Sequence, residues 1–286
     1  MKDFCDLHIH SNCSDGTWTP MELIREAEEL GLCAVALCDH NTIAGLPEFL
    51  AAAEGSSVTA VPGIEFSTEY EGDELHILGL FVWPEHYRAV TERVRELHIK
   101  KEESNLALVA ALGKAGIHLD YGAIKAGTPN GQVNRALIAK EMVRQGYCAS
   151  MQEAFDNWLA PELGYFVPPE RPDALDTIRF LDSIGAVSVL AHPFLNLKEE
   201  KLRAFLGEAE TLDAMETEYV SFSPEQRKLA REIAGEYGLL CSGGSDFHGD
   251  NKPDICLGTG RGDLRVDVSC FRDLRRRAKQ KLEQNK

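Results

Sequence analysis

The chain has 286 residues, 44% hydrophobic and 27% charged, a balance that excludes a disordered or fibrous polypeptide and suffices for one large core with an insertion. Against 46 Asp and Glu stand 30 Lys and Arg, a net charge of −16, so the surface repels a long phosphate backbone and general duplex binding is disfavoured. No apolar run reaches the roughly 18 residues of a membrane span, the start lacks a signal-peptide core, and eight Cys without a C-x-x-C pair read as reduced thiols, so a cytoplasmic location is expected.

In chain order, short apolar runs alternate with amphipathic segments, the pattern of an α/β domain with a largely parallel sheet. Phe4 to His8 reads as a strand. Thr19-Pro20-Met21-Glu22 is a capping box with Pro at the first helical position, and Gly31 ends that helix. Ala34 to Leu37 is the next strand, Gly45 to Ala53 a short helix, and Val58 to Val61 and Leu75 to Val82 are further strands. From Glu85 to about Trp158 no strand is predicted: a polar helix (Glu85 to Gly113) precedes a Gly-rich stretch (Gly127 to Gly131) and helices near Val133 to Gln145 and Ser150 to Trp158. Residues 100–165 are therefore expected to form a helical insertion, a cap over the substrate, with a barrel-like core in 1–99 and 166–286. The core continues with a helix (Arg171 to Ile184) and strands at Val187 to Ala191, Ala214 to Thr217 and Leu239 to Ser242. A helix from Ser223 to Tyr237 lies between the last two strands, opened by the cap Ser223-Pro224-Glu225-Gln226.

Six of the nine histidines fall at or just after a predicted strand, beside a carboxylate or a turn residue: His8, His10, His40, His76, His192 and His248. In α/β barrels the C-terminal strand ends converge on one rim. Several imidazoles brought together there repel one another once protonated, and neutral ones each need partners for two nitrogens. A divalent metal removes both problems. In Asp6-Leu7-His8-Ile9-His10, strand alternation points both histidines to one face, as ligands of one ion require. Asp39-His40 follows a strand, Gly63-Ile64-Glu65-Phe66 puts a carboxylate in an apolar strand-end setting, and Ala191-His192-Pro193 and Ser245-Asp246-Phe247-His248 repeat the pattern. His86, His98 and His118 lie in the less regular middle and read as ordinary surface or core residues.

H-x-H near the start, S-D-G at Ser14 to Gly16, D-H at Asp39-His40, G-I-E at Gly63 to Glu65, A-H-P and G-G-S-D-F-H-G occur in that order from Phe4 to Gly249. Together they resemble the PHP (polymerase and histidinol phosphatase) phosphoesterases. The sequence is most similar to the branch of bacterial nucleoside 3',5'-bisphosphate phosphatases and a related 5'-to-3' exoribonuclease of short RNA. The resemblance implies a distorted (β/α)7 barrel holding three divalent ions, commonly manganese, with iron or zinc also compatible with the donors. Carried over by position, it implies His8 and His10 on one ion, with Glu65 and Asp246 as shared carboxylates. Glu65, His76 and His192 would hold a second ion, and Asp15, His40 and His248 a third.

Such a site leaves about +2 of local charge on an acidic protein, which favours a small phosphorylated molecule or the end of a short RNA. The expected nucleophile is a metal-bound hydroxide, since ions lower the pKa of bound water to roughly 7. Asp39 is expected to orient a ligand, and His40 or His248 to assist the leaving group. G-x-S-x-G is absent, and Cys38 reads as a buried strand residue. In the insertion, Asn134-Arg135-Ala136-Leu137-Ile138-Ala139 stands where relatives carry G-R-P-H-I-A, so Asn134 and Arg135 are the substrate-binding candidates, Arg135 for a second phosphate. Leu137 replaces a frequent His, Asn41 a frequent Asp, and Leu163-Gly164-Tyr165-Phe166-Val167-Pro168 lacks a Lys that often precedes A-Y-V-P. Gly258-Thr259-Gly260-Arg261-Gly262 reads as a surface turn. Two alternatives are a histidinol-phosphate phosphatase and a non-catalytic metal-binding regulatory module; filled ligand positions argue against the second.

Overall fold

Burial of short apolar strands around a common interior organises the computed structural model, which describes residues 3–128 and 131–284. Met1 and Lys2 of the chain start, and Pro129 and Asn130 of the Gly-rich stretch, lie outside the described residues. β1 (Phe4–Ile9) leads to α1 (Pro20–Glu29), where both halves of the predicted capping box form between Thr19 and Glu22. β2 (Ala34–Leu37) and α2 (Leu46–Ala52) follow, then β3 (Thr59–Tyr70) and β4 (Asp73–Leu80).

β3 is far longer than the predicted Val58 to Val61. Pro62-Gly63 breaks the apolar pattern, yet the strand continues because its second half pairs antiparallel with β4, from Gly63↔Leu80 to Tyr70↔Asp73. Gly63 is required at the crossover: a Cβ there would meet the Leu37 carbonyl oxygen at 2.9 Å. The hairpin turns on Glu71 and Gly72, both at positive φ (48° and 82°), as a tight two-residue turn demands.

The helices α3 (Tyr87–Lys114), α4 (Tyr121–Ala126), α5 (Arg135–Arg144) and α6 (Met151–Ala154) come next, the last running on into a π-helical turn at Phe155–Leu159. Then come α7 (Ala174–Ser183), β5 (Val187–Leu190), α8 (Glu199–Glu208), β6 (Ala214–Tyr219), α9 (Pro224–Glu236), β7 (Leu240–Gly244), β8 (Val266–Asp267) and α10 (Val268–Gln284). The chain divides into two compact units, one of residues up to Thr91 and from Pro172 onward, the other Glu92–Arg171.

In the first unit the eight strands form a sheet in the order β7-β6-β5-β4-β3-β2-β1-β8. A bridge between Ile9 and Phe247, with His10 N–H donating to Phe247 O and Asp246 N–H to His8 O, brings the end of β1 against the segment after β7 and nearly closes a barrel. This is the expected distorted α/β barrel, and β4 is the distortion, antiparallel to both β3 and β5. Cys5, Leu7, Ala36, Val61, Leu78, Val189 and Ala214 meet in one interior cluster. Phe271, Leu274 and Ala278 of α10 join it, and Lys281 Nζ donates to the Ala186 carbonyl just before β5. α10 therefore packs across the end where the parallel strands begin, leaving the opposite rim for the polar cluster. Its outer face exposes Arg272, Arg275, Arg276 and Lys279, a basic stripe on an acidic chain.

The second unit has its own apolar core of Leu108, Leu112, Val133, Ile138, Met142, Leu159 and Phe166. Asn134 caps α5, its Oδ1 accepting from Leu137 N at 2.9 Å.

Candidate metal centre

Every strand of the barrel except the short β8 sends a donor, or a support for one, to the rim opposite α10. Glu65, in mid-β3 rather than at a strand end as predicted, is the hub. Its Oε1 lies 2.8 Å from His76 Nδ1 and 3.2 Å from His192 Nε2. Its Oε2 lies 3.0 Å from His40 Nδ1, 3.3 Å from His10 Nε2 and 3.4 Å from His8 Nε2. His76 likewise sits inside its strand near the start, and reaches the rim because β4 runs antiparallel. Asp246 Oδ1 approaches His10 Nε2 at 3.1 Å and His8 Nε2 at 3.7 Å, while Asp15 lies 3.3 Å from His248 Nε2 and 3.7 Å from His40 Nε2. The structure thus brings all nine sequence-predicted ligands together.

Three sets have donor atoms within 4.8 Å of one another: His10, Asp15, His40 and His248; His8, His10 and Asp246; His40, Glu65 and His76. His10 and His40 each serve two sets, where the resemblance implied one apiece. His86, His98 and His118 belong to none.

The cluster fits metal on its own chemistry. His8 Nε2, both ring nitrogens of His10, His40 Nδ1 and Glu65 Oε2 are buried and make no hydrogen bond. Buried polar atoms are almost always partnered, and a group of orphans aimed at one another marks the space of an ion. The charge states agree. Burial pushes Glu65 up, but His40, His76 and His8 outweigh it and hold the carboxyl well below its ordinary range. Asp246 is also held low, the close approach of His10 and the charge of His8 overcoming burial. Burial, with His248 and His40 alongside, pushes His10 down to about 3, so its imidazole is neutral and ready as a ligand. His76 goes the other way: burial opposes its charge, but Glu65 and Glu74 raise it to about 10. Imidazoles raised in this way would hold protons in the absence of ions, and bound ions would supply that positive charge instead.

Neighbouring residues fix these donors. Asp39, expected as ligand support, accepts from Ser11 N (2.7 Å), Ser11 Oγ (2.6 Å) and Ser14 Oγ (2.6 Å), and so pins the loop that carries Asp15. Asp6 accepts from Ser245 N and Gly258 N, tying β1 to the segment before Asp246; this is the role found for the Gly258–Gly262 turn. Sequence reasoning missed three residues. Glu216 of β6 contacts His8 Nδ1 at 3.0 Å and accepts from His192 N at 2.6 Å. Tyr219 Oη and Lys252 Nζ both donate to Asp246 Oδ2. Glu216 carried the signal that flagged Glu65, a carboxylate inside an apolar strand.

Residues 6–161 match the PHP domain family. The chain belongs to it. Relatives in the PHP family include a 5'-3' exoribonuclease of Haemophilus influenzae, 33% identical over 246 residues that cover 85% of this chain and 89% of that one. A 3',5'-nucleoside bisphosphate phosphatase of Chromobacterium violaceum is 28% identical over 249 residues, 85% and 86% of the two chains. Among solved structures, one from Bifidobacterium adolescentis described as a metal-dependent phosphoesterase superposes with a TM-score of 0.81 at 28% identity, covering 96% of each chain. These PHP relatives share nearly the whole length, so both compact units lie within the likeness.

The two substrate candidates lie in the second unit. Asn134 Oδ1 is occupied in capping α5. Arg135, on the first turn of α5, holds its guanidinium 4.4 Å from the Phe166 ring centroid and donates from Nη1 to Leu159 O at 3.2 Å. Both have structural work inside that unit.

Proposed function

We propose that this PHP chain, a metal-dependent phosphoesterase, hydrolyses a phosphate ester of a small nucleotide-like molecule, such as a nucleoside 3',5'-bisphosphate, or the 5' end of a short RNA. The observation that carries the metal chemistry is Glu65, a buried carboxylate ringed by five imidazoles. His8, His10, Glu65 and Asp246 would hold one ion, Glu65, His76 and His192 a second, and Asp15, His40 and His248 a third, with manganese the leading candidate. Bound divalent ions supply Lewis acidity, drawing charge from phosphoryl oxygens and acidifying water.

The chain's own residues do the rest. Neutral His10 offers a lone pair without losing a proton. Both ring nitrogens of His40 face carboxylates, and His248 Nδ1 donates to the Asp246 carbonyl at 2.7 Å, which favours ligand duty over proton transfer for both. The substrate class rests on the relatives, one named for bisphosphonucleosides and one for RNA.

A phosphate-release screen of manganese-loaded protein tests the reading with 3',5'-bisphosphonucleosides, histidinol phosphate and short 5'-phosphorylated RNA. Turnover of the first or third is expected. Turnover of histidinol phosphate alone would replace the assignment with the amino-alcohol phosphatase. Release from none of them would leave a non-catalytic metal-binding module.

A further inference from the structure

We infer that Glu216 is a positioning residue that builds two ion positions at once, fixing the ring of His8 with one carboxylate oxygen and the backbone of His192 with the other. Its side chain is fully buried on β6. A register shift between Glu216 and Glu218 in the pairing with β7 puts an extra residue in β6. That bulge breaks the strand's alternation: Glu216 turns inward, while Glu218 turns outward to pair with Arg231.

Oε1 lies 3.0 Å from His8 Nδ1. When Nδ1 keeps its proton on a carboxylate, the lone pair is on Nε2, and Nε2 is the nitrogen aimed at Glu65 and Asp246. Oε2 accepts from the His192 N–H at 2.6 Å. His192 needs this brace, because its φ of 30° lies in the left-handed region, which strains a non-glycine residue. The brace presents His192 Nε2 to Glu65 Oε1, while His8 Nε2 faces Glu65 Oε2, and the two rings stack with centroids 5.8 Å apart. Both oxygens face protein donors, and Glu216 belongs to none of the three donor sets. It links His8, in the first proposed ion set, to His192, in the second.

This makes the carboxylate irreplaceable by its closest isostere. Two N–H groups face Glu216, and a glutamine offers one acceptor and one donor. If its oxygen serves His192, its NH2 faces His8 Nδ1 and forces the proton onto Nε2, which blocks the ligand. If its oxygen serves His8, the His192 amide meets another donor. Either orientation damages one ion position.

The inference rests on the metal reading of the cluster and not on any substrate. Glu216→Gln and wild type are compared for manganese and zinc affinity by calorimetry and for metal content by elemental analysis. The variant should lose about 10- to 100-fold in affinity at one or more positions. Asp213→Asn is the control. Asp213 braces Ser188 in the same barrel from the α10 end, so its variant should melt earlier while binding metal as wild type does. In zinc-loaded wild-type protein, 15N spectra should show His8 protonated at Nδ1, a readout that holds even if Glu216→Gln fails to fold. A folded Glu216→Gln with wild-type affinity and stoichiometry, or His8 protonated at Nε2, would overturn the role of Glu216 alone. Wild-type protein that takes up no metal would overturn the metal reading beneath it.

Discussion

Lys252 Nζ stands 2.7 Å from Asp246 Oδ2, the carboxylate oxygen turned away from the histidines. Tyr219 Oη donates to the same oxygen at 2.8 Å, so one edge of Asp246 is clamped and the other, Oδ1, is presented to His8 and His10. Asp246 itself sits at a φ of 53°, a left-handed geometry that the clamp and the hydrogen bond to the His8 carbonyl sustain.

Asp246→Asn tests this arrangement. An amide cannot accept from Tyr219 and Lys252 on one edge while offering an anionic oxygen on the other. Changes to groups that merely support ligands cost about 10- to 100-fold, so losing a shared carboxylate should lower activity by at least about 100-fold. Circular dichroism should show the fold retained. Wild-type turnover at equal metal occupancy would remove Asp246 from the ligand set.

Metal uptake gives the second prediction. Elemental analysis after manganese loading should find two to three ions per chain, and at most trace metal would sink the trinuclear reading. At a free metal concentration 100 times Kd, each ion stabilises the fold by about 2.7 kcal/mol, so chelation should lower Tm by roughly 5–10 °C per ion. The pH sign follows from the cluster. His8, His40 and His76 are raised by Glu65 and its carboxylate neighbours against the opposing effect of burial, so the metal-free site carries protons at neutral pH. Ions must displace them, and affinity should rise with pH, with proton release visible as a buffer-dependent heat. Affinity independent of pH between 6 and 8 would contradict this.

The clustering of these nine residues was legible because most of them lie in or just after apolar strands, and parallel strands end on one rim. What escaped was set by pairing and turns. Glu65 was expected at a strand end, and only the antiparallel β3–β4 pairing shows it inside a long strand, with His76 near the start of β4 turned to the same rim. The outward turn of Glu218 depends on a bulge that no periodicity announces, and Lys252 reaches back to Asp246 from six positions further along the chain. Net charge does not locate charge: an overall −16 coexists with the exposed Arg272, Arg275, Arg276 and Lys279 stripe on α10.

Asp39 supplies a stability prediction. It is buried and accepts three hydrogen bonds from Ser11 and Ser14. Asp39→Ala leaves one amide and two hydroxyls without their acceptor, at a cost of about 3 kcal/mol. Thermal melts should shift down by roughly 6–12 °C, and metal affinity should fall with them because the same loop carries Asp15. A melt within about 2 °C of wild type would mean that water replaces the carboxylate and the loop is held otherwise.

Arg135 separates a structural role from a recognition role. It occupies the first turn of α5, where the helix dipole disfavours a cation, so something must compensate. Stacking on Phe166 and the bond to Leu159 O do so in part, and stacking consumes none of the guanidinium's five donors. If the proposed bisphosphate places its second phosphate on this residue, Arg135→Ala should reduce kcat/KM for the bisphosphate by about ten- to hundred-fold, the equivalent of roughly 1.5–3 kcal/mol. The loss should fall mainly in KM, since a remote group binds ground and transition states alike. A simple monophosphate ester, with nothing to place there, should be hydrolysed almost unchanged. Loss of the stack and the Leu159 bond alone should lower stability by about 1–2 kcal/mol whatever the substrate. Arg135→Lys distinguishes the two, because it keeps the charge and discards the planar fork. Recovery of most bisphosphate activity in the Lys variant, despite a lowered melting temperature, would assign the charge to recognition. Equal losses for both substrates, tracking stability across the two variants, would confine Arg135 to holding α5 against Phe166.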